Sequence, residues 1–316
     1  MSPWNRRLRV RASTAARTFG RAVIAGNAAL RACLLLLVAA SFVVAQKPAD
    51  PKPGPKPGAR SAADSKPTAP AKTADAPLPD DDPELPIKDL RAAKDARRRY
   101  VVIGPKKGAK KPADGWKVVY VLPGGGGGAD FHGFVKNIAR QVFADDALTV
   151  QLIAPQWMER QPIIWPTEGA KLKEAEFTTE EFFRAVHAEV AKAHALDPRC
   201  CFTLSWSSGG PAAYRLALMD KTPITGSYLA QSVFKPDELP SLDRAKGRAF
   251  FIDHSPDDTT CPFRMAEAAR DALKKAGGAV EFVTYEGGHG WKGAIWDRLR
   301  QGRDFFSKNA KKPAAK

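Results

Sequence analysis

A short apolar run, Cys201-Phe202-Thr203-Leu204, leads into the small-residue turn Ser205-Trp206-Ser207-Ser208-Gly209-Gly210, and Pro211 to Leu218 continue with helical apolar spacing. A strand that turns at once into a helix must pass through one crowded residue. If that residue is a serine, its hydroxyl stands clear of the sheet and the following N–H points into the same space. Small residues two before and two after it are then a steric requirement. Centring the turn on Ser207 puts Ser205 and Gly209 at those positions, whereas centring it on Ser208 would bring in the bulky Trp206. Centring it on Ser205 would place Thr203 and Ser207 there and leave the glycines too late to relieve the turn. Ser207 is therefore the preferred nucleophile, with the Ser208 N–H beside it. A polar turn with a Gly pair and a Ser cap would share this local pattern, so the rest of the chain must decide.

Strand-like and helix-like segments alternate on both sides of this turn. Strands are expected at 99–103, 117–122, 148–154, 201–204, 224–230, 248–252 and 279–285. Helices are expected at 131–143, 178–195, 211–218, 262–275 and 291–307, the second opened by Thr178-Thr179-Glu180-Glu181 with a cap and acidic first turn. Such alternation predicts an α/β fold with a doubly wound, mostly parallel sheet, whose site lies beyond the carboxyl ends of the strands. Pro155 to Glu176 is irregular and could form a small lid; the folded length leaves no room for a large cap domain.

Three further motifs fall at such strand ends. Leu122-Pro123 is followed by five glycines, Gly124 to Gly128, before a helix. The run lacks the Lys-Ser or Lys-Thr of a phosphate cradle, and its match to a dinucleotide fingerprint is weak. Its N–H groups suit a developing oxyanion, with Gly125 as the nominated donor beside Ser208. Phe251-Ile252-Asp253-His254-Ser255-Pro256-Asp257-Asp258 supplies an acidic pair in the turn before the next helix, and Gly288-His289-Gly290 a histidine in a glycine-rich turn. A serine hydroxyl needs an imidazole to take its proton, and the imidazole needs a carboxylate to hold its tautomer. His289 is preferred as base over His132, His187, His194 and His254. Asp258 is preferred to Asp257 as the acid, although either could cap the helix.

The order Ser207, Asp258, His289 after a glycine-rich loop resembles that of the α/β-hydrolase fold superfamily across residues 99–307. The motifs resemble those of small bacterial carboxylesterases of the dienelactone hydrolase, phospholipase/carboxylesterase and polyhydroxyalkanoate-depolymerase-like groups. Pro123 stands where such families usually have His, and Ser205 where the elbow usually has Gly. The resemblance implies an ester hydrolase working through an acyl-serine without a cofactor or metal. A prolyl-oligopeptidase-like peptidase shares the order, but its usual propeller is missing from the sequence. An inactive binding module of the same fold is the alternative from another class. Trp206, Trp165 and Trp291 fall near the site and are candidate pocket residues for a small-molecule or carbohydrate-bearing ester.

The ends of the chain read differently. Residues 1–45 hold seven Arg and no acid and finish in the apolar segment Ala32 to Ala45, which predicts a signal peptide or signal-anchor. Fourteen residues span only about 21 Å as a helix. Residues 46–86 are rich in Pro, Ala and Lys and read as a disordered linker; 87–308 form the catalytic domain and 309–316 a basic tail. An exported protein, periplasmic or secreted, is expected, with a form tethered to the membrane or cell envelope through its N-terminus as the alternative. Net charge is +16, but much of it lies in these ends, which argues against a nucleic-acid partner. Beyond the apolar segment, Cys200, Cys201 and Cys261 are expected as free buried thiols, and the absence of CxxC or a Cys/His cluster in the sequence predicts no structural zinc.

Overall fold

The computed structural model describes Leu78 and residues 82–310. The readings of 1–45 and of the tail beyond 310, and nearly all of the linker, lie outside the described residues. Eight strands form one sheet: β1 (Ile87–Arg91), β2 (Arg99–Ile103), β3 (Trp116–Leu122), β4 (Ala147–Leu152), β5 (Leu196–Trp206), β6 (Gly226–Ala230), β7 (Ala249–His254) and β8 (Ala279–Thr284). Their order across the sheet is β1-β2-β4-β3-β5-β6-β7-β8. The pairs β1·β2 and β2·β4 are antiparallel, and every pair from β4 to β8 is parallel. The sheet is thus doubly wound and mostly parallel, with β2, next to the edge strand β1, alone running against the others.

Period-two alternation divides the strand side chains between two apolar layers. Val118, Tyr120 and Leu122 of β3 enter one layer, while Val119 and Val121 enter the other. The first layer is closed by α2 (Thr179–Ala193), α3 (Gly210–Leu218) and α4 (Phe263–Lys275), through residues such as Phe182, Leu216 and Leu273. The second is closed by α1 (His132–Ile138) and α5 (Ile295–Asn309), through Val135, Ile138, Leu299 and Phe306. A central strand with both faces covered explains why β3, apart from Lys117, reads as a near-continuous apolar run. The start of α2 has the capping box its sequence suggests: the Glu181 N–H donates to the Thr178 hydroxyl, and the Thr178 N–H to the Glu181 carboxylate at 2.7 Å.

Three segments differ from their sequence reading. Residues 82–86, grouped by composition with the linker, pack on the domain: Leu85 is 1% exposed, and the Asp82 carboxylate accepts a hydrogen bond from Arg140. β1 has no counterpart among the expected strands, because Ile-Lys-Asp-Leu-Arg on an edge strand is mostly exposed and shows no apolar alternation. The last helix begins at Ile295 rather than Trp291, since Gly290 and Gly293 adopt positive φ (109° and 61°) and keep that stretch a loop.

Candidate active site

β5 ends at Trp206, and the next residue, Ser207, has φ of +50°. A left-handed conformation at a non-glycine residue is uncommon and strained, and it projects the hydroxyl away from the sheet. Close packing around the turn explains its small neighbours. A Cβ at Gly209 would lie 2.2 Å from the Leu122 carbonyl oxygen, and one at Gly210 1.8 Å from the Ser232 hydroxyl. The Ser232 hydroxyl in turn donates to the Ser207 carbonyl at 2.9 Å, and the buried Ser205 hydroxyl donates to the Tyr228 carbonyl at 3.2 Å. β6 and the loop that follows it therefore brace the turn.

The loops after β7 and β8 bring two more groups to this serine. His289 Nε2 lies 3.1 Å from Ser207 Oγ, and Nδ1 lies 2.8 Å from Asp258 Oδ2. With Nδ1 protonated toward the carboxylate, Nε2 presents a lone pair to the hydroxyl. The other Asp258 oxygen accepts from the N–H groups of Thr260 and Cys261, each at 2.8 Å. Burial favours the protonated carboxyl, but the bonds from the Cys261 N–H, His289 and the Thr260 N–H outweigh it, and Asp258 sits below the ordinary carboxylate pKa. Asp257 is exposed and accepts only a long 3.5 Å contact from the Gly287 N–H. Of the acidic pair, Asp258 is the one that meets the histidine.

The rival histidines are occupied elsewhere. His187 pairs with the Tyr120 hydroxyl at 2.8 Å and His132 with Gln151 at 3.0 Å, and burial pushes both rings below the ordinary imidazole pKa. His254 lies fully buried behind Asp258, its Nε2 2.8 Å from the Cys261 carbonyl and 3.4 Å from Asp258 Oδ2. His194 is at the end of α2, where its N–H closes the helix on the Val190 carbonyl.

Side chains to which the sequence reading assigns no role hold the histidine loop. The Ser255 hydroxyl accepts from the Gly288 N–H at 3.1 Å, and the Gln231 carbonyl oxygen accepts from both the Gly290 N–H and the Tyr285 hydroxyl. Asp253 and Arg298 form a buried ion pair at 2.9 Å, and Arg298 also donates to the Lys292 carbonyl at 2.9 Å, tying α5 to the same loop. These residues lie next to motifs in the sequence, but polar residues at strand ends are too common there to single them out.

On the other side of Ser207, the glycine run forms a tight turn closed by the Gly127 N–H on the Gly124 carbonyl at 2.9 Å. Gly125 has φ of +57°, and its carbonyl accepts from the Ser208 hydroxyl at 2.8 Å, which ties the glycine turn to the residue after Ser207. Trp165 Nε1 donates to the Pro123 carbonyl at 3.0 Å and steadies the loop from outside.

A cavity of about 190 Å³ opens beside Ser208, walled by Ile163, Ile164, Trp165, Pro211, Tyr214 and Val233, with Lys235 and Glu238 also lining it. Of the three tryptophans nominated for the pocket, Trp165 lines this cavity; Trp206 and Trp291 do not. Trp206 is buried at 4% exposure on the opposite side of the sheet, in edge-to-face contact with Phe131, Phe134 and Trp291. Its indole leaves no space for a Cβ at Gly124, which would lie 2.5 Å from Cδ1. It buttresses the glycine loop from the core rather than facing the cavity. The irregular wall from Pro155 to Glu176 is fixed through Arg215 of α3, which bonds to Glu180, to Glu168 at 2.7 Å and to the Glu238 carbonyl at 2.8 Å.

The strand order, with a strained serine after β5, a carboxylate after β7 and a histidine after β8, defines the α/β-hydrolase fold. Solved structures of the same fold include esterases. Thermogutta terrifontis esterase 2, in a form phosphorylated by paraoxon, is 18% identical over 74% of this chain and 97% of its own, with a TM-score of 0.53. A ferulic acid esterase is 17% identical over 72% of this chain and 98% of its own, with a TM-score of 0.52. An alpha/beta hydrolase enzyme from a Medee basin deep-sea metagenome library is 16% identical over 72% and 98%, with a TM-score of 0.54. No protein-family model and no curated protein matches the chain.

Proposed function

We propose that this protein is a serine hydrolase of carboxylic esters, with Ser207 as nucleophile, His289 as base and then acid, and Asp258 as the group that orients the imidazole. The observation that carries this reading is the bridging histidine, 3.1 Å from Ser207 Oγ and 2.8 Å from Asp258 Oδ2. Ser207 Oγ attacks the ester carbonyl as its proton passes to His289 Nε2, and Asp258 stabilises the resulting imidazolium without taking the proton. The oxyanion is received by the N–H groups of Gly125 and Ser208, each donor contributing about 3 kcal/mol. Collapse of this intermediate expels the alcohol, which takes the proton from His289 and leaves acyl-Ser207. Water, deprotonated by His289, then releases the acid.

Cavity size supports a compact substrate group. An apolar cavity of about 150 Å³ holds a benzene ring, so the 190 Å³ space beside Ser208 accommodates one aromatic ring or a short branched chain. The ferulic acid esterase among the structural relatives agrees with an aromatic ester. The basic, then apolar, N-terminal sequence supports export, with the Pro-rich stretch as a spacer that tethers the domain at the cell envelope. Initial rates on p-nitrophenyl esters of increasing acyl size, with wild type and Ser207→Ala, test the reading. Turnover by the wild type with a preference for compact acyl groups, and none by the variant, is expected. Equal turnover by both proteins would remove Ser207 from the chemistry.

A further inference from the structure

Ser207, His289 and Asp258 share their space with a softer donor. Cys261 ends the loop after β7, and its thiol is buried beside the Ser207 hydroxyl. Its Sγ, a ring nitrogen of His289 and a carboxylate oxygen of Asp258 all lie within 4.8 Å of one another. Sulfur, imidazole nitrogen and carboxylate oxygen are the three donor types of tetrahedral zinc sites. Bond lengths of about 2.0–2.3 Å there place ligand atoms roughly 3.3–3.7 Å apart. Small side-chain shifts would therefore close the cluster on an ion. Access is from the solvent side, where the His289 side chain is 27% exposed while that of Asp258 is fully buried.

We propose that Cys261, His289 and Asp258 form an inhibitory site for a thiol-seeking divalent cation such as Zn²⁺, which switches off the serine by occupying its base. The inference rests on the triad reading and adds a mode of control to it. Binding displaces the Cys261 thiol proton to solvent and leaves the sulfur as a thiolate ligand, while His289 donates a ring lone pair to the ion. Metal on Nε2 removes the acceptor for the Ser207 proton, whereas metal on Nδ1 sends the Nδ1 proton to Nε2 and severs the bond to Asp258, so either mode stops attack. In the metal-free enzyme, burial and the Asp258 charge push the thiol up to about 11, so it remains neutral and does not disturb the row. A valine or serine at this position would fill much the same space without a soft donor.

Full-length wild type, Cys261→Val and Cys261→Ser are to be titrated with buffered free Zn²⁺ while ester turnover is followed, and then treated with EDTA. Wild-type turnover should fall with Zn²⁺ and return with EDTA, whereas both variants should need at least about tenfold more Zn²⁺ for the same fractional loss. Each variant is compared with its own metal-free rate, so a change in basal activity does not affect the comparison. Cd²⁺ provides a second readout, since a thiolate-to-metal absorption should appear in wild type and be missing in both variants. Identical Zn²⁺ sensitivity in all three proteins, active wild type that Zn²⁺ leaves unchanged, or no Cd²⁺–thiolate band in wild type would each overturn the site. Failure of the hydrolase reading would look different: wild type would turn over no ester even before metal is added, while the Cd²⁺ band could still be read.

Discussion

The two sides of Ser207 are held by different means. On the histidine side, short polar contacts from strand ends fix a glycine-rich loop: Ser255 on Gly288, Gln231 on Gly290, and Asp258 on His289. On the cavity side, an irregular segment is tied to partners far away in sequence through Arg215, the Trp165 indole and the Arg97–Glu176 pair. The first side needs sub-ångström placement of a proton acceptor; the second needs only a wall of suitable shape. Damage to the first should therefore appear in kcat, and damage to the second in KM and in the order of preferred substrates.

The largest effect is expected at the orienting acid. Asp258→Asn keeps the volume but favours the wrong imidazole tautomer, and kcat should fall by about 10⁴, measurable by steady-state turnover. The same substitution has a pH signature. Asp258 is held below the ordinary carboxylate value in the folded state, so its contribution to stability is complete above that ordinary value and is lost as pH falls through the lowered one. Urea unfolding at a series of acidic pH values should show a shallower decline for Asp258→Asn than for wild type.

Arg215→Met tests the cavity side. It leaves the Glu180 carboxylate buried without its partner, a change that typically costs about 3–5 kcal/mol of stability. Thermal unfolding should register that loss, and KM for bulkier acyl esters should rise more than KM for acetate. A uniform fall in kcat with unchanged preference would mean that the two sides are not separable. Gln231→Ala is the smaller perturbation of the histidine side. It strips the Gly290 N–H and the Tyr285 hydroxyl of their acceptor, at a cost of about 1–3 kcal/mol. Its kcat should drop while the order of substrate preference stays as in wild type.

The same contrast decides what could be read from the sequence. The serine turn, the glycine run, Asp258 and His289 were legible because each sits in a short motif at a strand end, and an α/β sheet carries all such ends to one edge. The crowding that favours Ser207 over its neighbours is visible in the structure, where a Cβ at Gly209 would lie 2.2 Å from the Leu122 carbonyl oxygen. The cavity was not legible, since Ile163, Tyr214 and Val233 meet only through the fold. Trp206 shows the limit of proximity in sequence: it adjoins the nucleophile, but strand alternation sends its indole to the opposite layer, against Phe131 and Phe134. Cys261 likewise has no metal-ligand spacing with His289 in the chain, and the two approach only because β7 and β8 are neighbours.

Covalent capture tests the central claim most directly. Folded wild type treated with paraoxon or a fluorophosphonate, digested and mapped by mass spectrometry, should carry one adduct on the hydroxyl of Ser207, and Ser207→Ala should carry none there or on Ser205 or Ser208. An adduct on a neighbouring serine, or folded wild type that remains unmodified, would contradict the assignment of Ser207 as a nucleophile activated by His289.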